Sequence, residues 1–135
     1  MADRLWIDAN VILRFLTKDP PDMAKRAAEL MEKAENGEIS LLVSPLVLAE
    51  VIWVLKSFYK YPTADISRVL LLFISAPGIE TLDRELIIRS IELARDQNVD
   101  FADAYLSLQA ESRNETVCTF DAADFKRLPA NWITH

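Results

Sequence analysis

The chain has 135 residues, of which 51% are hydrophobic and 27% charged, and its formal net charge is −6 at pH 7. This length and composition predict one compact globular domain, residues 1–135, and exclude two. The N-terminus carries no basic segment followed by a long apolar run, and no apolar stretch approaches the roughly 20 residues that span a bilayer. We therefore expect a soluble, cytoplasmic protein without a membrane partner.

Absent residue types exclude several kinds of catalytic site. The only histidine is the terminal His135, which argues against a Ser-His-Asp or Cys-His mechanism, and the single Cys118 excludes a disulfide framework or a multi-cysteine zinc site. We expect Cys118 to be a small buried hydrophobe. Gly37 and Gly78 are the only glycines, too few for a phosphate-binding glycine loop. Carboxylates remain as the side chains for chemistry.

Strands alternate with helices in the hydrophobic pattern. A short buried strand over residues 5–7 comes first, and an amphipathic helix over residues 22–36 ends at Gly37. The apolar positions of this helix are Met23, Ala27, Leu30, Met31 and Ala34, with Arg26 among the polar ones. Further strands are predicted at residues 39–43, 79–82, 116–120 and 132–134, and further helices at residues 45–59, 63–74, 84–97 and 101–113. This alternation predicts an α/β fold, a three-layer α/β/α sandwich with a short, mainly parallel central sheet and right-handed crossovers.

Four carboxylates fall at positions that the predicted sheet brings to one edge. Asp8 and Asp121 directly follow predicted strands, and functional groups of parallel sheets lie outside the carboxyl ends of the strands. Glu50 lies in the helix that leaves the second strand, and Asp103 lies in the first turn of a helix aimed at this edge. Clustered carboxylates repel one another unless a cation binds or a pKa rises. Oxygen ligands without histidine or cysteine favour Mg²⁺ or Mn²⁺ over zinc, and such ions activate water without a protein nucleophile.

Each acid also has a purely structural explanation. Asp8 or Asn10 can be the N-cap of the following helix, which the local sequence leaves as well supported as metal binding. Asp100 and Asp124 are better explained as cap or turn residues. Glu50 interrupts an apolar helix and has no arginine within one helical turn, so a structural role is harder to assign to it. The remaining structural explanation is that this helix keeps one solvated edge.

Four short motifs resemble the ordered acidic motifs of PIN-domain ribonucleases of the VapC toxin type. They are residues 7–12 (IDANVI), Glu50 in its apolar helix, residues 100–104 (DFADA) and residues 119–125 (TFDAADF). The resemblance covers essentially the whole chain. It implies a PIN-like fold, Mg²⁺- or Mn²⁺-dependent cleavage of RNA phosphodiester bonds, a homodimer, and a small antitoxin protein as partner.

The same resemblance implies the site residues. The metal ligands would be Asp8, Glu50, Asp103 and Asp121, with Asn10, Thr119 and Asp124 as supporting polar groups. The net negative charge argues against RNA binding, but a bound metal would neutralise part of it. The basic residues available for phosphate contacts are Arg14, Lys18, Lys56, Lys60, Arg113, Lys126 and Arg127. None of them is singled out, because exposed basic side chains are ordinary solvated surface by default.

Two other functions are compatible with parts of the sequence. Asp8-Ala9-Asn10 after a first strand superficially resembles the start of haloacid-dehalogenase-like phosphatases, but Asn10 replaces the expected acid, and no late lysine or room for a cap domain is evident. A non-catalytic protein-binding module of the same fold is the other alternative. The helices at residues 45–59 and 63–75 hold more large apolar side chains than the core needs, which predicts protein contacts there.

Overall fold

The structure, a computed structural model, describes residues 3–135. The internal contacts of the chain fall into two compact units, the first ending at Leu82 and the second comprising Asp83–His135. No helix of the described residues combines the length and apolar character needed to cross a membrane. The single domain expected over residues 1–135 stays a prediction.

The first unit is built around a three-stranded parallel sheet. Its elements in chain order are β1 (Asp3–Trp6), α1 (Ala9–Thr17), α2 (Pro21–Glu35), β2 (Ile39–Val43), α3 (Pro45–Ser57), α4 (Thr63–Ile74) and β3 (Ile79–Thr81). The strand order is β1-β2-β3, with Leu5 aligned to Leu41 and Leu41 to Ile79. Pairs of helices therefore connect successive parallel strands, as the alternating pattern predicted.

The second unit is mainly helical and carries a small parallel sheet. It contains α5 (Arg84–Gln97), α6 (Phe101–Ser112), β4 (Val117–Cys118), α7 (Ala122–Phe125) and β5 (Trp132–Ile133). β4 pairs in parallel with β5, and Val117 is aligned to Trp132. The predicted α/β class with short parallel sheets is confirmed, although the strands form a three-stranded and a two-stranded sheet.

The core of the first unit is centred on β2 and α3. Leu41 and Val43 of β2 are fully buried, and so are Leu48, Val51 and Leu55 on one side of α3. The expected burial of the first strand is wrong, because β1 lies at the edge of this sheet and all four of its residues are exposed. Burial begins just after the strand, at Ile7 and Ala9.

Two further expectations about burial are wrong. The apolar sequence of residues 45–59 predicts a buried helix, but Leu46 of α3 is 80% and Trp53 67% exposed. Among the apolar positions of the amphipathic α2, Ala27 and Ala34 are buried, as such a helix requires. Cys118 is exposed rather than buried, because side chains of a strand alternate and its neighbour Val117 takes the inward position in β4.

The turn before β3 brings Gly78 against helix α2. Its φ is +80°, and a Cβ at this position would lie 2.7 Å from the carbonyl carbon and from Cβ of Ala34, besides clashing with the carbonyl oxygen of Ala34. Gly37, just after α2, has nearly the same φ of +79° but open space around it. Both glycines therefore have a positive φ that other residues rarely adopt. At Gly78 a side chain would in addition clash with Ala34.

Candidate functional site

Asp8 is the N-cap of α1 and is exposed at the end of β1. Its Oδ1 accepts a hydrogen bond from the backbone N–H of Val11 at 3.2 Å. The other carboxylate oxygen has no hydrogen-bond partner among residues 3–135. Capping and metal binding were competing explanations of Asp8, but the cap uses one oxygen and leaves the second free, so they are compatible.

Asn10 is an exposed residue in the first turn of α1. No side-chain hydrogen bond links it to Asp8 within the described chain, where the Asp8 carboxylate accepts from the backbone N–H of Val11. Asn10 and Asp8 both line a cavity of about 320 Å³ in the first unit, together with Arg14, Met23, Arg26 and Leu30 from α1 and α2. The supporting role implied for Asn10 stays a prediction.

Glu50 is exposed in the middle of α3, where the sequence suggested an apolar environment. It lies four residues after the exposed Leu46 and three before the exposed Trp53, so these side chains share one face of the helix. In residues 3–135 its carboxylate has neither a hydrogen bond nor an ion pair. Glu50 therefore lies on the solvated edge that an apolar helix can keep. An exposed carboxylate is also free to bind a ligand.

Asp103 belongs to a group of carboxylates in the second unit. It is half-buried in the first turn of α6, as the sequence predicted. Burial raises the pKa of the Asp103 carboxyl above its ordinary value, and the negative charges of Asp100, Asp124 and Asp121 raise it further. The other three acids are therefore close enough to act on the charge of Asp103.

The chain around Asp121 is held by backbone contacts. Its N–H donates to Oγ1 of Thr119 at 2.9 Å, which fixes the turn between β4 and α7 and leaves the exposed Asp121 carboxylate without a partner in the described residues. Asp124 differs, because its Oδ1 accepts from Nη2 of Arg127 at 2.7 Å. Thr119 thus positions the backbone of Asp121, and Arg127 offsets the charge of Asp124.

The predicted ligands divide between the two units. Asp8 and Glu50 belong to the first, and Asp103 and Asp121 to the second. Their donor chemistry fits Mg²⁺ or Mn²⁺, because every group is a carboxylate. Among residues 3–135, however, no group of three or more histidine, cysteine, aspartate or glutamate side chains is arranged to hold a metal ion. The metal site stays a prediction.

Sequence reasoning missed the contribution of Arg26. It was grouped with the polar positions of α2, yet it lies three residues after Met23 and four before Leu30, which places all three on one helix face. They line the cavity beside Asp8 together with Arg14. The spacing shows the shared helix face, but the cavity forms between α1 and α2 and therefore appears only in the structure. The pairing of Arg127 with Asp124 at i,i+3 was also readable from the sequence.

Comparisons with known proteins identify the family. The crystal structure of VapBC2 from Rickettsia felis bound to a DNA fragment from their promoter is similar over 98% of this chain and 98% of that one, with 20% identity and a TM-score of 0.38. A comparison with curated proteins gave no match. A family model described as PIN domain matches residues 5–131, almost the full length. The chain belongs to the PIN-domain family.

Proposed function

We propose that this protein is a metal-dependent endoribonuclease that hydrolyses RNA phosphodiester bonds and acts as the toxin of a toxin–antitoxin pair. Membership of the PIN-domain family, whose domains are nucleases, supports a phosphodiester-cleaving activity. The observation that carries the metal dependence is the group of acids around Asp103, whose carboxyl has a pKa raised first by burial and then by the negative charges of Asp100, Asp124 and Asp121. A hard divalent cation would relieve this repulsion more completely than a proton.

The proposed ligands of Mg²⁺ or Mn²⁺ are Asp8, Glu50, Asp103 and Asp121. The ion would supply a water of lowered pKa and stabilise charge on the leaving oxygen. The protein contributes fixed donor positions. The Val11 N–H orients the Asp8 carboxylate, and the Thr119 hydroxyl holds the backbone of Asp121. Arg127 binds Asp124, which favours a supporting role for that acid over direct coordination.

The proposal includes a homodimer and a small antitoxin partner in the cytoplasm. Large apolar side chains exposed on the surface of the first unit support protein contacts, because Leu46 and Trp53 are seven residues apart and lie on one face of α3. These side chains are Leu46 and Trp53 of α3, Phe58 directly after α3, and Leu72 of α4. Expression without a partner is expected to arrest growth, and co-expression of the antitoxin to relieve the arrest.

The nuclease proposal is tested by incubating purified protein with single-stranded RNA in Mg²⁺, in Mn²⁺ and in EDTA. Cleavage with either metal and none in EDTA is expected. Asp8→Asn is the informative variant, because asparagine is as good an N-cap as aspartate and keeps the bond to Val11, whereas it weakens metal coordination. The control is Glu38→Gln, an exposed acid outside the proposed site.

Asp8→Asn should lose activity with an unchanged melting temperature, and Glu38→Gln should retain activity. Metal-independent cleavage, or full activity in Asp8→Asn, contradicts the proposal. Hydrolysis of p-nitrophenyl phosphate without RNA cleavage would instead favour the phosphatase alternative.

A further inference from the structure

The cavity beside Asp8 combines two arginines with apolar walls. It measures about 320 Å³, within the roughly 300–1,000 Å³ typical of small-ligand sites, and Arg14 and Arg26 line it together with Met23 and Leu30. All of these residues belong to α1 and α2 of the first unit. The proposed metal site does not use the arginines, so their position beside Asp8 calls for another role.

In the part of the chain that the structure describes, neither arginine forms an ion pair with a carboxylate. Within residues 3–135, five arginines elsewhere form ion pairs with aspartate or glutamate, whereas Arg14 and Arg26 form none. They lack one although the chain has a net charge of −6 and acidic partners are plentiful. Arg14 and Arg26 together outweigh the one carboxylate that lines the cavity, Asp8, and this net positive charge favours an anionic ligand.

Arg14 is held loosely in its present position. Its Nη1 donates to the carbonyl oxygen of Asp19 at 3.2 Å, while its Nε is buried and has no acceptor. A buried donor without an acceptor costs free energy, so turning the guanidinium towards an anion sacrifices one long hydrogen bond and relieves the unpaired Nε. A phosphate group, which accepts two parallel hydrogen bonds from a guanidinium, is a suitable acceptor.

We infer that this cavity binds a nucleotide of the RNA substrate beside Asp8, with Arg14 and Arg26 on the phosphate and Met23 and Leu30 against the sugar or base. The inference rests on the proposed function, because the identity of the anion as RNA comes from it. It goes further by assigning a substrate-positioning role to Arg14 and Arg26. Asp8, a proposed metal ligand, lines the same cavity. This position beside the proposed site of cleavage favours the substrate over an unrelated anion as the occupant.

The experiment measures binding of a fluorescein-labelled single-stranded RNA to the full chain by fluorescence anisotropy, in EDTA to prevent cleavage. The variants are Arg14→Gln and Arg26→Gln, which remove charge with little change in size, and Arg14→Lys, which keeps charge but not the two-pronged geometry. The control is Arg68→Gln, an exposed arginine of α4 in the same unit that is paired with Asp65 at 3.7 Å.

Each glutamine variant should bind RNA about 5- to 10-fold more weakly than wild type, which corresponds to about 1 to 1.4 kcal/mol. The dependence of log affinity on log salt should fall by about 0.7 for each phosphate contact removed. Arg14→Lys should lose less affinity than Arg14→Gln, and Arg68→Gln should stay within about twofold of wild type.

Equal RNA affinity for all variants would overturn the inference and leave the cavity to an acidic segment of a protein partner. Absence of RNA binding by the wild type would overturn it as well. Failure of the proposed function looks different, because weakened binding in Arg14→Gln and Arg26→Gln without RNA cleavage by the wild type would retain the binding site and reject the nuclease activity.

Discussion

Arg127 binds the carboxylate of Asp124 one helical turn away, with Nη2 and Oδ1 separated by 2.7 Å. The same guanidinium donates from Nη1 to the carbonyl oxygen of Gln97 at 2.9 Å, which joins the segment just after α7 to the end of α5. Asp124 is therefore the one acid near Asp103 whose charge is matched by an ion pair in the described residues. This distinguishes it from Asp121, which is proposed as a ligand.

We predict that the Asp124–Arg127 pair contributes a small, measurable coupling energy. Urea unfolding of Asp124→Asn, Arg127→Gln and the double variant should give a coupling free energy of about 0.5 to 1 kcal/mol, because the pair is only partly exposed and the guanidinium is fixed by a second bond. The same cycle on the more exposed pair Arg113–Glu115 should give a value near zero. Equal coupling in both cycles would show that the bond to Gln97 does not fix the guanidinium.

We predict that Asp103→Asn stabilises the metal-free protein at neutral pH. The pKa of Asp103 is raised in the folded state by burial and by Asp100, Asp124 and Asp121, so its contribution to stability is complete below the ordinary carboxyl pKa and is lost as pH rises through the raised value. Asparagine does not ionise, so the variant keeps the stability that wild type loses when Asp103 ionises. The melting temperature in EDTA at pH 7 should exceed that of wild type, and the difference should shrink as pH falls towards about 4.

Asp96→Asn is the control of opposite sign, because its hydrogen bond with Arg95 lowers the pKa of Asp96. This variant should show no gain at pH 7. Mg²⁺ at 100 times its dissociation constant should stabilise wild type by about 2.7 kcal/mol and Asp103→Asn by less. An unchanged or lower melting temperature of Asp103→Asn in EDTA at pH 7 would mean that the repulsion around this carboxylate is absent.

We predict that Glu50→Gln separates stability from activity. Glu50 is exposed and unpartnered in the described chain, so the free energy of unfolding should change by no more than about 0.5 kcal/mol. RNA cleavage should nevertheless be lost if Glu50 is a metal ligand. Glu29→Gln, an exposed acid of α2, should change neither quantity. Normal cleavage by Glu50→Gln would remove this residue from the ligand set.

We predict that Gly78→Ala destabilises the protein more than Gly37→Ala. Both positions have a positive φ, which costs an alanine about 1 to 2 kcal/mol, but only the Cβ at residue 78 would meet the backbone of Ala34. Chemical unfolding should therefore place Gly78→Ala at least about 1 kcal/mol below Gly37→Ala. Equal losses in the free energy of unfolding would show that α2 shifts to accommodate the new Cβ without destabilising the protein.

The helices and their spacing could be predicted well from the sequence, and the burial of their side chains less well. Proline at the start of α3 and glycine after α2 are local signals, and they mark ends that the structure confirms. The exposure of β1 depends on which strands pair, and that is set by contacts far apart in the sequence. Hydrophobic composition alone therefore does not predict which strand lies at the edge of the sheet.

The candidate site shows the same division. The position of Asp103 in the first turn of α6 followed from the sequence, as did the cap at Asp8. The solvent exposure of Glu50 did not, because an apolar helix with one wet side and a fully buried one have similar compositions. The cationic cavity depends on two helices meeting, so Arg26 could be assigned to it only from the structure.

The most direct test of the central claim is the rate of RNA cleavage in Mg²⁺ by five single variants, each checked for an unchanged fold by circular dichroism. Asp8→Asn, Glu50→Gln, Asp103→Asn and Asp121→Asn should each lose at least about 100-fold, equivalent to about 2.7 kcal/mol of transition-state stabilisation, and Asp124→Asn should lose far less. Retention of wild-type cleavage in Mg²⁺ by the first four variants would contradict the carboxylate metal site.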